Sequence, residues 1–211
     1  MTQRRNFDNA APDWDSKTRR IELARAVAEG IRRQIEIKPS WELMDYGCGT
    51  GLLSFEMAPY VATVTGVDSS EGMLNVMSGK IHPDDHDRIH VWKLDFEHDP
   101  IPDKRFHIIV SSMTLHHIPD PIRLLSRMSA LLHPGGSLAM ADLDREDGDF
   151  HEDSTGVFHH GFSGDEFREI LTRAGYTDVD VRFVHTTRKV TSSGETKDFR
   201  ILLATGRRPG D

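Results

Sequence analysis

The chain has 211 residues, 26 Lys+Arg against 34 Asp+Glu, and a formal net charge of −8. That length suits one α/β domain with a full core, and the acidic balance argues against a nucleic-acid partner, whose phosphates call for a Lys/Arg surface. A single cysteine, Cys48, excludes an intrachain disulfide framework and any multi-cysteine zinc centre. No window approaches the roughly 18 apolar residues of a membrane span, and the polar N-terminus lacks the apolar run of a secretory signal. The expectation is one cytoplasmic domain over residues 1–211, with no membrane partner.

Leu23, Val27 and Ile31 recur every four residues and predict an amphipathic helix over 16–37, closed by Pro39. From there the period alternates. WELMDY (41–46) reads as a strand and 52–58 as a helix stopped by Pro59. Val61–Val67 is a β-branched strand ending at Asp68, Ser70–Lys80 a helix, and Ile89–Leu94 a strand ending at Asp95. Phe106–Ser112 holds the apolar run of a buried strand. A helix starts at Asp120 and ends at Pro134-Gly135-Gly136, and SLAMAD (137–142) is the next strand. A loop covers 143–162. Ser163 with Glu166 forms a capping box for a helix ending at Gly175, and two strands near 177–185 and 198–205 form an antiparallel hairpin at the edge. Alternating strands and helices imply a Rossmann-like α/β fold: a mostly parallel, seven-stranded sheet with helices on both faces, whose ligand sits at the carboxyl ends of the strands.

Chemistry gathers at those ends. Gly47, Gly49 and Gly51 follow the first strand, where glycine lets the backbone turn sharply and approach a ligand. A dinucleotide loop has G-x-G-x-x-G spacing; here Leu52 takes the place of its third glycine, which disfavours a nicotinamide-dependent oxidoreductase. Asp68 is placed to accept both hydroxyls of a ribose, Asp95 to accept from an adenine amine with Phe96 near the ring, and Asp45 to meet a cation. No lysine lies in or next to the glycine loop, so a cationic nucleoside fits better than a nucleotide.

DYGCGTG (45–51) resembles motif I of the class I S-adenosylmethionine-dependent methyltransferases, and VDSS (67–70) resembles their motif II. LDFEHD (94–99), FHIIVSSMTLHHI (106–118) and LLHPGGSLAMADLD (131–144) resemble the later blocks in order and spacing, and the variant is similar to small-molecule enzymes related to quinone biosynthesis. The resemblance implies strand order 3-2-1-4-5-7-6 with strand seven antiparallel. It implies that Asp45 and the Gly47-Cys48-Gly49-Thr50-Gly51 backbone hold the methionine part of the cofactor. Asp68, beside Ser69, takes the ribose, Met73 packs on the adenine, Asp95 and Phe96 meet its amine and ring, and Ser111 or Ser112 lies near the sulfonium. The implied partner is a small-molecule methyl acceptor, and the product is S-adenosylhomocysteine. A non-catalytic cofactor-binding protein of the same fold is the alternative.

Methyl transfer is an in-line displacement for which alignment supplies much of the acceleration, although some acceptors need a general base. His116 and His117 follow strand four, and His151, His159 and His160 lie in the loop after strand five. His159 and His160 are the first candidates for the base, then His117. The acidic stretch from Asp142 to Asp153 is expected to be a solvated loop, and without an H-E-x-x-H pattern no metal is expected. Phe7 and Trp14 mark residues 1–37 as a segment able to close over the cofactor.

Overall fold

A computed structural model describes residues 6–210; residues 1–5 and 211 of the expected domain lie outside the described residues. Seven strands form one sheet: β1 (Glu42–Tyr46), β2 (Thr63–Asp68), β3 (Ile89–Lys93), β4 (Phe106–Ser112), β5 (Leu132–Leu143), β6 (Thr177–Val190) and β7 (Thr196–Arg207). Their order is β3-β2-β1-β4-β5-β7-β6. Strands β3 to β5 pair in parallel across the sheet, and β7 runs antiparallel to both β5 and β6. The helices are α1 (Thr18–Gln34), α2 (Leu52–Met57), α3 (Glu71–Lys80), α4 (Pro121–Ala130) and α5 (Gly164–Arg173).

The central strands look uniformly apolar in sequence, yet their side chains divide strictly between two layers, as the two-residue period demands. Leu43, Ile108, Ala139, Ile201 and Leu203 face the layer of α1, where Leu23, Val27 and Ile31 are buried. Met44, Ile109, Leu138, Met140 and Leu202 face the opposite layer, against Leu124, Leu125 and Met128 of α4 and Phe167 and Leu171 of α5. α1 approaches β6 closely at Gly30, where a Cβ would come within 2.7 Å of Val184 Cγ1.

Several boundaries differ from the sequence expectation. α1 covers 18–34, not 16–37, because Ile35 is already extended. β5 begins at Leu132, so Pro134-Gly135-Gly136 lies within the strand rather than before it. A register shift against β4 between Phe106 and Ile108 accommodates the glycines, with Gly135 at φ +74°. The hairpin strands are longer than expected, because regular pairing continues outward to Val190↔Thr196. The capping box at α5 is present, with Ser163 and Glu166 bonded reciprocally.

Candidate active site

The carboxyl ends of β1, β2 and β4 open into a cavity of about 440 Å³. Its first wall is the turn after β1. The N–H groups of Gly47 and Cys48 both donate to the Val67 carbonyl, at 2.8 and 3.1 Å, which ties the loop to the end of β2. Gly47 has φ +66°, and a Cβ there would run into Thr114; only glycine suits both conditions. Gly51, at φ +85°, caps α2 and turns the chain without lining the cavity.

Asp45 closes β1 and is buried. Its carboxylate accepts from Ser54 Oγ at 2.6 Å, and burial pushes its pKa up to about 7 against that hydrogen bond. Asp68 accepts from Gly49 N at 2.8 Å and from Ser70 N at 2.9 Å, and burial raises its pKa as well. Buried Asp45 and half-buried Asp68, with no cation bonded to either among the described residues, thus share one wall with the cavity-lining Cys48, Ser69, Met73 and Asp95. Such a wall fits a ligand that brings positive charge and hydroxyl donors.

Other expected site residues lie elsewhere. Phe96 is buried beneath the cavity, stacked on Tyr46 at 5.4 Å, and its neighbours Asp95 and Glu97 reach the surface of the cavity instead. Ser111 is buried in β4, so Ser112, Met113 and Thr114 line the cavity. Met113 takes a left-handed φ of 59°, and its N–H donates to Ala141 at 2.8 Å, a sharp exit from β4 at the cavity floor.

The histidines separate in the same way. His117 lines the cavity and its Nδ1 lies 2.7 Å from the Gly156 carbonyl. His159 does not line it; its Nε2 is bonded to the Ile118 carbonyl at 3.0 Å. His160 is exposed, 3.7 Å from Glu146, and also outside the cavity lining. The chain after β5 doubles back instead, with Phe158 N and His159 N both donating to the His116 carbonyl. This fold-back brings His151 beside His116 and His117, with ring centroids 4.9 and 5.4 Å away. Behind them Asp142, fully buried, accepts from His116 Nδ1 at 2.6 Å. The sequence separations of 26 and 34 residues gave no short-range signal for this grouping.

The N-terminal segment lies across the wall formed by the turn after β1 and the start of α3. Asp8 accepts from Ser70 Oγ and Gly72 N, and Asp15 accepts from Thr50 Oγ1 at 2.6 Å and pairs with Lys80. Phe7 packs edge-on against both Trp14 and His117, and the Arg20 guanidinium covers Trp14. Arg19 and Lys189 reach the far side of the same cavity.

A family model described as a methyltransferase domain matches residues 18–181. A ubiquinone biosynthesis O-methyltransferase of Coxiella burnetii (strain Dugway 5J108-111) is 31 % identical over 205 residues, covering 95 % of this chain and 82 % of that protein. In other strains the protein of the same name matches over 60 % of its length. A solved phosphoethanolamine N-methyltransferase 2 of Haemonchus contortus superposes with a TM-score of 0.68 at 17 % identity, covering 86 % of this chain and 52 % of that one. The [4+2]-cyclase SpnF superposes with a TM-score of 0.71 at 17 % identity, covering 89 % and 81 %. The chain belongs to the class I, S-adenosylmethionine-dependent methyltransferases and is related to the quinone-biosynthesis members.

Proposed function

We propose that this protein transfers the methyl group of S-adenosylmethionine to an oxygen of a small organic acceptor, by in-line displacement, in the cytoplasm. The observation that carries the proposal is the division of one cavity into two ends: buried Asp45 and half-buried Asp68, with no cation bonded to either among the described residues, at one, and imidazoles with Arg19 and Lys189 at the other. The acidic end fits a sulfonium nucleoside, and a nucleotide's phosphates would meet repulsion there. Bound there, S-adenosylmethionine supplies a methyl group on a positively charged leaving sulfur.

The chain's own residues then bind, orient and exclude water. Asp45 and the backbone from Gly47 to Gly49 hold the amino-acid part, Asp68 accepts from the ribose, Ser69 and Met73 flank it, and Asp95 accepts from the adenine amine. The segment bearing Phe7 and Trp14 covers the site and keeps water from the reacting atoms. His117 faces the acceptor, whereas His159 and His160 shape the loop that closes around it. Alignment of acceptor and methyl group in this cover supplies most of the acceleration. Oxygen as the acceptor atom is supported by relatives named O-methyltransferases, and a free small molecule by the acidic surface and the enclosed cavity. No helix among the described residues is long and apolar enough to cross a membrane.

Calorimetric titration of S-adenosylhomocysteine and NAD⁺, followed by a labelled methyl donor with a panel of hydroxylated small molecules, tests the proposal. S-adenosylhomocysteine should bind, NAD⁺ should not, and label should move to a hydroxyl. Binding of NAD⁺ alone would overturn the cofactor assignment. Cofactor binding without transfer to any acceptor of the panel would favour the non-catalytic alternative, and transfer only to amines or thiols would overturn the oxygen assignment.

A further inference from the structure

We infer that His116, His117 and His151 form a binding site for a divalent transition-metal ion in the wall of this cavity, contrary to the metal-free site expected from sequence. One ligand atom from each residue lies within 4.8 Å of the other two. All three residues line the cavity. His116 is 1 % exposed, and its Nε2 is buried with no hydrogen-bond partner among the described residues. A histidine kept only for packing has both ring nitrogens satisfied, by protein or by water, in most proteins.

The outer partners fix how each ring presents itself. The Asp142 carboxylate also accepts from the N–H groups of His116 and Leu143, which holds it in place as an acceptor. In the neutral ring the proton of His116 therefore sits on Nδ1, which leaves Nε2 as the nitrogen to meet an ion. The Gly156 carbonyl can only accept, so His117 likewise donates from Nδ1, and in the neutral ring Nε2 is its ligand nitrogen. A buried carboxylate and a backbone carbonyl behind two imidazoles are the outer-shell arrangement that orients histidine ligands in metal sites. With imidazoles as the donors and no thiolate beside them, the set suits zinc, cobalt, nickel or iron(II) better than magnesium or calcium. An ion held by three imidazoles would keep a further coordination position for water or an acceptor oxygen. That last role rests on the proposed methyl transfer; ion binding itself does not.

The test uses full-length protein without an affinity tag, stripped with a chelator. Cobalt(II) is titrated and followed by its visible absorption, with zinc competition measured by calorimetry. One ion per chain should bind, displaced by zinc. His151→Ala should weaken binding at least ten-fold, and Asp142→Asn by about ten- to a hundred-fold, in line with outer-shell substitutions elsewhere. Affinity of His151→Ala for S-adenosylhomocysteine should match that of the parent protein, which shows that the variant is folded. A second group, Glu42, His107 and His133, supplies the control, since His133→Ala should leave ion binding unchanged. Absence of stoichiometric binding, binding indifferent to His151→Ala, or binding lost with His133→Ala would each overturn the site. Failure here with intact S-adenosylhomocysteine binding leaves the cofactor assignment standing. Ion binding in a protein that takes up no S-adenosylhomocysteine would do the reverse.

Discussion

Asp45 shows how burial prepares a side chain for one kind of ligand. Its carboxyl titrates near 7 in the folded chain because desolvation disfavours the charge. That value lies above the unfolded one. The folded chain therefore holds an extra proton between about pH 4 and pH 7, and the stability this lends falls away as pH rises through 7. A cationic cofactor prefers the ionised form. Affinity for S-adenosylmethionine should thus climb as pH rises toward about 7, by up to about ten-fold per pH unit, and then level off. Binding below 7 should release a proton, visible in calorimetry as a dependence on buffer ionisation enthalpy, and Asp45→Asn should bind weakly and without that slope. Asp68→Ala should weaken cofactor binding about ten- to a hundred-fold, the range for losing a hydrogen bond to a charged group, with a parallel fall in stability because the Gly49 and Ser70 amides lose their acceptor. Both aspartates were legible in the sequence because strand ends announce themselves by where the apolar run stops. Phe96 and Ser111 were misplaced because one residue along a strand or turn reverses which way a side chain points, and no local signal fixes that parity at the end of β3 or β4.

The loop between β5 and α5 is where the sequence was least informative. Its acidic residues suggest a solvated stretch, yet Glu146 folds inward and accepts from the N–H groups of Gly148, Asp149 and Phe150. Phe150 is thereby driven into the core against Phe199, and His151 is carried to the cavity. Composition cannot distinguish a carboxylate that solvates a loop from one that organises it. Glu146→Ala should lower the melting temperature, with a loss of about 1–3 kcal/mol for the unsatisfied amides, and should slow turnover while S-adenosylhomocysteine affinity holds. The N-terminal segment is the second such element. Hydrogen bonds from Ser70 and Gly72 hold the Asp8 carboxyl below the usual carboxylate range, so this contact persists above pH 4 or so and is lost only as pH falls through the lowered value. Asp8→Asn combined with Asp15→Asn should speed S-adenosylhomocysteine dissociation and amide exchange across residues 7–16 to the same extent at pH 6 and pH 8, in stopped-flow and hydrogen-exchange measurements. The pH dependence of affinity belongs to Asp45, and that of the cover lies outside the neutral range.

For the molecule as a whole, helix and strand alternation was enough to read the layers, and the resemblance supplied the strand order. The exact lengths of β5, β6 and β7 were not readable, because they depend on long-range pairing that overrides Pro134 and the glycines beside it. The sheet and its two apolar layers carry the cavity, and the N-terminal segment and the loop after β5 contribute to its lining. S-adenosylhomocysteine at a hundred times its dissociation constant should therefore raise the unfolding free energy by about 2.7 kcal/mol without altering the sheet, measurable as a melting shift alongside an unchanged far-ultraviolet spectrum. The position of β7 has a consequence of its own. It comes last of the sheet's seven strands in chain order, yet it lies inside the sheet, between β5 and β6. Until translation passes Arg207, β5 presents an open edge and β6 has no neighbour. Between the synthesis of Leu143 and that of Thr196–Arg207, the nascent chain carries an unpaired, largely apolar edge from Leu138 to Leu143. The strand ends of β1, β2 and β4 that line the cavity are all made before that edge is sealed, whereas Phe150, His151 and Lys189 join the lining later.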